Sequence, residues 1–464
     1  MFSEDFYRYS VLTPNANVTY TRLRWYQQRK ISLIIVLLIS PVVMFFVLYG
    51  ILFGFHRNIV YPKTATKVSS ETLHRALTYS RTAAGNHTYD PIPQFKITKK
   101  IPINKFKLVC YYSLPDDSSS LQIEHLDPHL CTHINSAFAH IVNNSLYMTE
   151  YQKENLKKMV KLKEVNKDLK VLVSVGGAGN VNNGFPEMVF NHSTRKTFIK
   201  SVVSFVKEFN IDGIDLDWEF PNTNKHQRTR FTQLLEEIRK NINKQQKNQY
   251  LLTVAVAAPL TLVSQCYDVP YMNDYVDFIN VMSYDYHFYS KWTPFTGFNS
   301  PLYSSENEIF IFGTLNVNFS ANYWNHLGMD RAKIVVGLPT YGHTFKLANS
   351  KNNGLYAPAF GYGRLGSFGF VDYPDICKFL AVNQISPVFD MDTKSPYASK
   401  FYEWVSFENT QSLTYKAEYI REQRFGGAMV WSLNSDDYNF SCQIEGRHEG
   451  KFPLVKSIKN ALFG

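Results

Sequence analysis

Eight short apolar runs separated by helix-length segments limit the folds open to this chain more than any other feature of its sequence. The runs are Lys107–Tyr112, His133–His140, Lys170–Val175, the acidic segment Gly213–Glu219, Leu251–Ala257, Tyr275–Met282, Lys333–Gly337 and Gly426–Leu433. Between them, Tyr151–Val165, Ser193–Phe209 and His226–Ile242 carry apolar residues at helical spacing. Such alternation predicts an α/β protein, a (β/α)8 barrel of the TIM type spanning residues 105–464. The long gap between Tyr341 and Phe425 is rich in aromatic, proline and glycine residues and predicts a small insertion over about 342–425. No internal repeat or low-complexity tract interrupts this pattern.

A barrel of this kind places its active site at the C-terminal ends of the strands. Strand-end polar residues are therefore the candidates: Tyr111, Ser136, Ser174, Asp217, Glu219, Tyr284, Asp285, Tyr341 and Trp431. The most informative segment is Asp212-Gly213-Ile214-Asp215-Leu216-Asp217-Trp218-Glu219. A strand sends alternate side chains to one face, so Asp215, Asp217 and Glu219 share a face opposite Ile214, Leu216 and Trp218. Three neighbouring acids raise one another's pKa, and one keeps a proton at neutral pH. A protonated carboxyl beside ionised ones suits general-acid chemistry on a glycosidic oxygen. The competing reading is a solvated turn or a divalent-cation loop, against which the interleaved Ile, Leu and Trp argue.

A second feature precedes the barrel. Ile31 to Phe55 contains no charged side chain and is longer than the roughly 20 residues a membrane helix needs. A cleaved signal peptide is the alternative, but it has a shorter apolar core and a shorter leader. The expected order is a cytoplasmic tail over 1–30, a signal anchor over 31–55 and a Pro-containing polar stalk over 56–104. Arg22, Arg24, Arg29 and Lys30 before the run slightly outnumber Arg57, Lys63 and Lys67 after it, favouring a cytoplasmic N-terminus. Five cysteines, Cys110, Cys131, Cys266, Cys377 and Cys442, all follow the run, as do sequons at Asn86, Asn143, Asn191, Asn318 and Asn439. Four cysteines suffice for two bridges, leaving one thiol. The reading is a single-pass type II protein with a lumenal or extracellular C-terminal domain. The net charge of +10 arises from scattered Lys and Arg without a dense basic run, so no nucleic-acid partner is expected.

From Lys105 to Gly464 the chain resembles the family 18 glycoside hydrolases, the chitinases and chitinase-like proteins. Asp212 to Glu219 matches the DGxDxDxE signature of that family in full. Ser174-Val-Gly176-Gly177 matches SxGG, Met282-Ser-Tyr284-Asp285 matches MxYD, and Gly426 to Trp431 matches the last strand. Lys107 to Tyr112 and Asp127-Pro-His-Leu-Cys131-Thr-His resemble the start of the animal members. The resemblance implies bridges Cys110–Cys131 and Cys377–Cys442 with Cys266 free, and an α+β insertion that deepens the cleft.

It also implies substrate-assisted retaining hydrolysis, an exception to the two-carboxylate scheme. Glu219 is then the proton donor, and the sugar's own 2-acetamido oxygen is the nucleophile. Asp217 orients that amide, Asp215 tunes the proton on Asp217, and Tyr284 bonds the carbonyl. Trp431 floors the subsite, Tyr111, Phe138 and Met282 line it, and Asp285 and Tyr341 are further substrate contacts. No metal or cofactor is implied, and chitin or N-acetylglucosamine oligosaccharides are the partners.

Some positions depart from the family pattern. Ala178 stands where a sugar-stacking Trp is common, and the loop from Ser113 lacks an aromatic platform. Phe220 replaces a Tyr, and His343 stands where an Arg commonly follows Tyr341-Gly. A stacking platform contributes roughly 1–3 kcal/mol, so losing two is expected to weaken binding of long polymers about a hundredfold or more. Two functions follow: a membrane-anchored hydrolase of short substrates, or a chitinase-like glycan-binding protein, of lectin or immune type, without useful turnover.

Overall fold

Apolar runs become interior strands when both faces are buried, as in a closed barrel whose outer face is covered by helices and whose inner face packs on itself. The computed structural model describes residues 106–114, 121–178, 184–221, 225–245, 249–444, 447–448 and 450–464. The expected tail, membrane span and stalk, and the sequon at Asn86, lie outside the described residues. Among the described residues no helix is long and apolar enough to cross a membrane.

Eight parallel strands form the barrel: β1 (Lys107–Ser113), β2 (His133–Val142), β4 (Lys170–Gly176), β5 (Gly213–Asp217), β6 (Leu251–Ala257), β7 (Phe278–Met282), β8 (Ile334–Pro339) and β15 (Gly427–Trp431). The remaining short strand in this series, β3 (Ser145–Tyr147), lies antiparallel against β2. Strand β1 pairs with β15 on one side and β2 on the other, which closes the cylinder. The register sets Asp215 beside Ser174 and Thr253, so residues of one parity look into the barrel.

The covering helices follow from local sequence. His192–Phe209 starts where Asn191 and Thr194 exchange side-chain and backbone hydrogen bonds as a capping box. Phe198, Val202, Phe205, Val206 and Phe209 recur at helical spacing and are buried. The helix stops at Asn210, which adopts the left-handed conformation that asparagine tolerates.

Several element boundaries differ by a few residues from the sequence reading. The acidic strand ends at Asp217, so Glu219 lies two residues past it, where the chain leaves the barrel. The run beginning at Tyr275 is a strand only from Phe278, because a helix with Pro270 in its first turn extends through Tyr275.

A second sheet follows β8. It contains β9 (Tyr341–Leu347), β10 (Ala359–Gly361), β11 (Phe370–Asp372), β12 (Val388–Asp390), β13 (Ser395–Lys400) and β14 (Glu403–Ser406). The order is β10-β9-β14-β13-β12, with β11 also on β9, and all pairings are antiparallel. Phe345, Leu347, Ala359 and Trp404 form its core. The helix Thr410–Glu422 packs on β15 and on the C-terminal helix Pro453–Phe463, so the chain has rejoined the barrel before residue 425. Disulfides join Cys110 to Cys131 and Cys377 to Cys442, and Cys266 is free and buried.

Candidate active site

Strands β1, β4, β5, β6 and β7 each point one polar side chain at the same spot inside the barrel. Tyr111 OH and Ser174 Oγ donate to Asp215 Oδ2, each at 2.7 Å. Thr253 Oγ1 and Asn280 Nδ2 donate to Asp215 Oδ1 at 2.5 and 3.2 Å. Asp215 is fully buried, and burial pushes its carboxyl above the usual range while these four bonds pull it back. It is the buried carboxyl around which the strand ends assemble. Thr253 and Asn280 were not among the sequence candidates. Their signal was present, since each is a lone polar residue in an apolar run, LLTVAVA and FINVM.

Asp217 is treated very differently by its surroundings. It is buried, and its Oδ1 makes no hydrogen bond. Burial first, and then the charges of Glu219 and Asp215, hold its carboxyl well above the usual range. Glu219 is partly exposed, and burial together with the charge of Asp285 pushes it up to about 7. Burial and neighbouring negative charge thus both favour the protonated form at this end of the acidic strand. Tyr284 is held well above 10 by burial and by the surrounding carboxylates, so its hydroxyl remains a donor.

An aromatic floor underlies these groups. The Trp431 ring stacks on Phe138 at 5.5 Å and 26°, and meets the edge of Tyr111 at 5.5 Å and 64°. Met282 and Trp431 pack with Phe138 on a cluster containing Tyr111, Tyr284, Tyr341 and Met429. Gly176 and Gly177 make room for this arrangement, with φ of +111° and +82°. A Cβ on Gly176 would stand 2.2 Å from the Asp217 carbonyl oxygen, and one on Gly177 2.5 Å from the Phe138 ring.

At the rim, Tyr341 OH donates to Asp285 Oδ1 at 2.5 Å. His343 Nε2 lies 2.7 Å from the same oxygen, and its Nδ1 lies 3.2 Å from the Gly369 carbonyl oxygen. The departure at His343 thus still contacts Asp285, and β9 of the second sheet supplies both partners. All ten carbohydrate-site candidates, Tyr111, Phe138, Asp215, Asp217, Glu219, Met282, Tyr284, Asp285, Tyr341 and Trp431, sit in or beside this one assembly. Ser136, the remaining strand-end candidate besides Ser174, is fully buried, and its Oγ makes no hydrogen bond. Among the sequons, Asn143, Asn191 and Asn439 are exposed. Asn318 is not: it lies within the helix Val317–His326, and its Oδ1 accepts from Tyr419 OH at 2.8 Å. A helical asparagine held in this way makes a poor glycan acceptor.

The chain belongs to the glycosyl hydrolases family 18, whose model matches residues 107–436. It is 36% identical over 373 residues to chitotriosidase-1 of Mus musculus, covering 77% of this chain and 78% of that one. The group IV chitinase of Ostrinia furnacalis, solved in complex with allosamidin, superposes with a TM-score of 0.71 at 34% identity, covering 77% of this chain and 98% of that one. Human YKL-39, described as a pseudo-chitinase with retained chitooligosaccharide binding properties, gives a TM-score of 0.72 at 33% identity, with 77% and 100% covered.

Proposed function

We propose that this protein hydrolyses β-1,4 linkages in short chito-oligosaccharides by substrate-assisted retaining catalysis. The observation that carries the reading is the end of the acidic strand, where Asp217 with its buried, unpartnered Oδ1 precedes Glu219 at the mouth that also holds Tyr284 and Trp431. Glu219 protonates the leaving glycosidic oxygen as the 2-acetamido carbonyl oxygen attacks C1, giving an oxazolinium ion. Asp217 accepts from the acetamido N–H and offsets the developing positive charge. Tyr284 donates to the carbonyl oxygen, and Trp431 floors the sugar ring through its apolar face. Water then opens the oxazolinium ion with the β configuration retained, and Glu219 recovers its proton from that water.

The second reading is glycan binding without useful turnover. It is supported by Ala178 at the missing platform and by the likeness to YKL-39. The two readings separate on residues 68–464 assayed with fluorogenic chitobiose and chitotriose substrates beside Glu219→Gln. The YKL-39 chain is matched over its whole length, so this portion corresponds to a unit that folds alone. Hydrolysis by the wild type, reduced about a thousandfold or more in the variant with binding retained, supports the enzyme. Turnover surviving in the variant would refute the mechanism. Saturable binding without hydrolysis selects the second reading.

We also propose a type II anchor at 31–55, with the barrel lumenal or extracellular. The uncharged run supports the anchor, and two paired disulfides support an oxidising compartment. Release of the full chain from membranes by alkaline carbonate would refute the anchor.

A further inference from the structure

The connection between β7 and the helix Val317–His326 carries four consecutive large apolar residues that face solvent. Ile309, Phe310, Ile311 and Phe312 are 63%, 85%, 45% and 41% exposed. A single exposed apolar side chain is ordinary, but an unbroken run of four marks a contact surface.

The run is held in place from below. Thr314 N–H donates to the Ile311 carbonyl at 3.0 Å, and Leu315 N–H to that of Phe312 at 3.0 Å. Thr314 Oγ1 closes on the Ile311 carbonyl at 2.6 Å. Phe312 touches Phe295 edge-on at 6.4 Å. Phe310, the most exposed of the four, has a φ of +53°, an uncommon conformation for an aromatic residue. The exposed apolar turn is therefore a fixed feature of the fold. Phe295 in turn bridges to Pro358, which brings the exposed Phe360 onto the neighbouring strand.

We propose that the turn Ile309–Phe312 inserts into the interfacial layer of a zwitterionic phospholipid bilayer and so holds the barrel against the membrane. This inference rests on the bilayer anchor proposed above. Residues 56–104 join the uncharged run to the barrel, which keeps the domain at high effective concentration beside the surface. The flanking charges decide the lipid class. Ser304–Gly313 contains Glu306 and Glu308 and no Lys or Arg, so it gains nothing from an anionic surface. Loops of this kind bind through buried apolar area, in the manner of interfacial segments.

The test has two arms. In the first, residues 68–464, which lack the uncharged run, are sedimented with phosphatidylcholine vesicles. The wild type partitions, and Phe310→Ser or Ile309→Ser each lowers partitioning by about tenfold, as loss of one large apolar side chain requires. Adding phosphatidylserine does not raise it. Unchanged melting temperatures show that the exposed substitutions leave the fold alone. In the second arm, the full chain in phosphatidylcholine nanodiscs carries a fluorophore at Phe310→Cys or at Val165→Cys. Val165 is also exposed and ends the helix preceding β4, at the opposite mouth of the barrel. Cys266 is buried and takes no label. Spin-labelled lipid quenches the label at 310 and spares that at 165. Equal partitioning of wild type and variants in the first arm, or an unquenched label at 310 in a carbonate-resistant protein, overturns the proposal while leaving the anchor intact. A protein removed by carbonate sinks the anchor instead, and vesicle partitioning then decides the turn by itself.

Discussion

The interior of the barrel mouth and its rim are built to different standards. Inside, Asp215 receives four hydrogen bonds from four strands, and Trp431 is wedged between Phe138 and Tyr111. At the rim, Asp285 is half exposed and depends on two side chains of the second sheet, one of them the unusual His343. The interior is over-determined by packing, whereas the rim rests on a few contacts in water. The buried carboxyl is therefore held where packing is closest, and the rim is where substitutions are cheap.

The largest effect that would sharpen this contrast belongs to the interior. Gly177→Ala must displace the Phe138 ring and hold alanine at positive φ, at a cost of about 2 kcal/mol or more. Chemical denaturation should show that loss together with impaired oligosaccharide binding; a neutral result would mean the floor is softer than its packing implies. Trp431→Ala removes the stacking surface and should weaken chito-oligosaccharide binding by roughly 1–3 kcal/mol, read by titration calorimetry.

The next prediction crosses from rim to interior. Under the proposed mechanism Glu219 acts in its protonated form, so kcat/KM should fall as pH rises through about 7. Asp285 contributes to that raised value through its negative charge, so Asp285→Asn should move the alkaline limb to lower pH. A pH–rate profile that did not move would separate rim and interior electrostatically. The smallest effect is expected at the rim itself. His343→Arg keeps a donor for the half-exposed Asp285, where such a pair contributes at most about 1 kcal/mol, so KM should change by less than roughly fivefold. A larger change would show that the rim is as tightly specified as the interior.

Much of this was legible without coordinates. The eight strands could be found because parallel strands covered on both faces read as unbroken apolar runs. Asp215, Asp217 and Glu219 stood out because the Ile, Leu and Trp between them argued against a solvated turn or a cation loop. The boundaries were less legible: Pro270 carried a helix into the start of the sixth run, and the helix Thr410–Glu422 left the insertion for the barrel. Asn318 reads as a sequon, yet it is spent on Tyr419, a partner 101 residues away.

What the chain alone determined was the inventory: strands of period two, capped helices and a set of acids in fixed alternation. Alternation places Asp215 and Asp217 on one face, but it treats them as equals. Only closure of the barrel made one a saturated anchor and left the other with an unpartnered oxygen. The reason is that Tyr111, Ser174, Thr253 and Asn280 come from strands far apart in sequence, and parallel registry alone brings their polar atoms to one carboxylate and away from its neighbour.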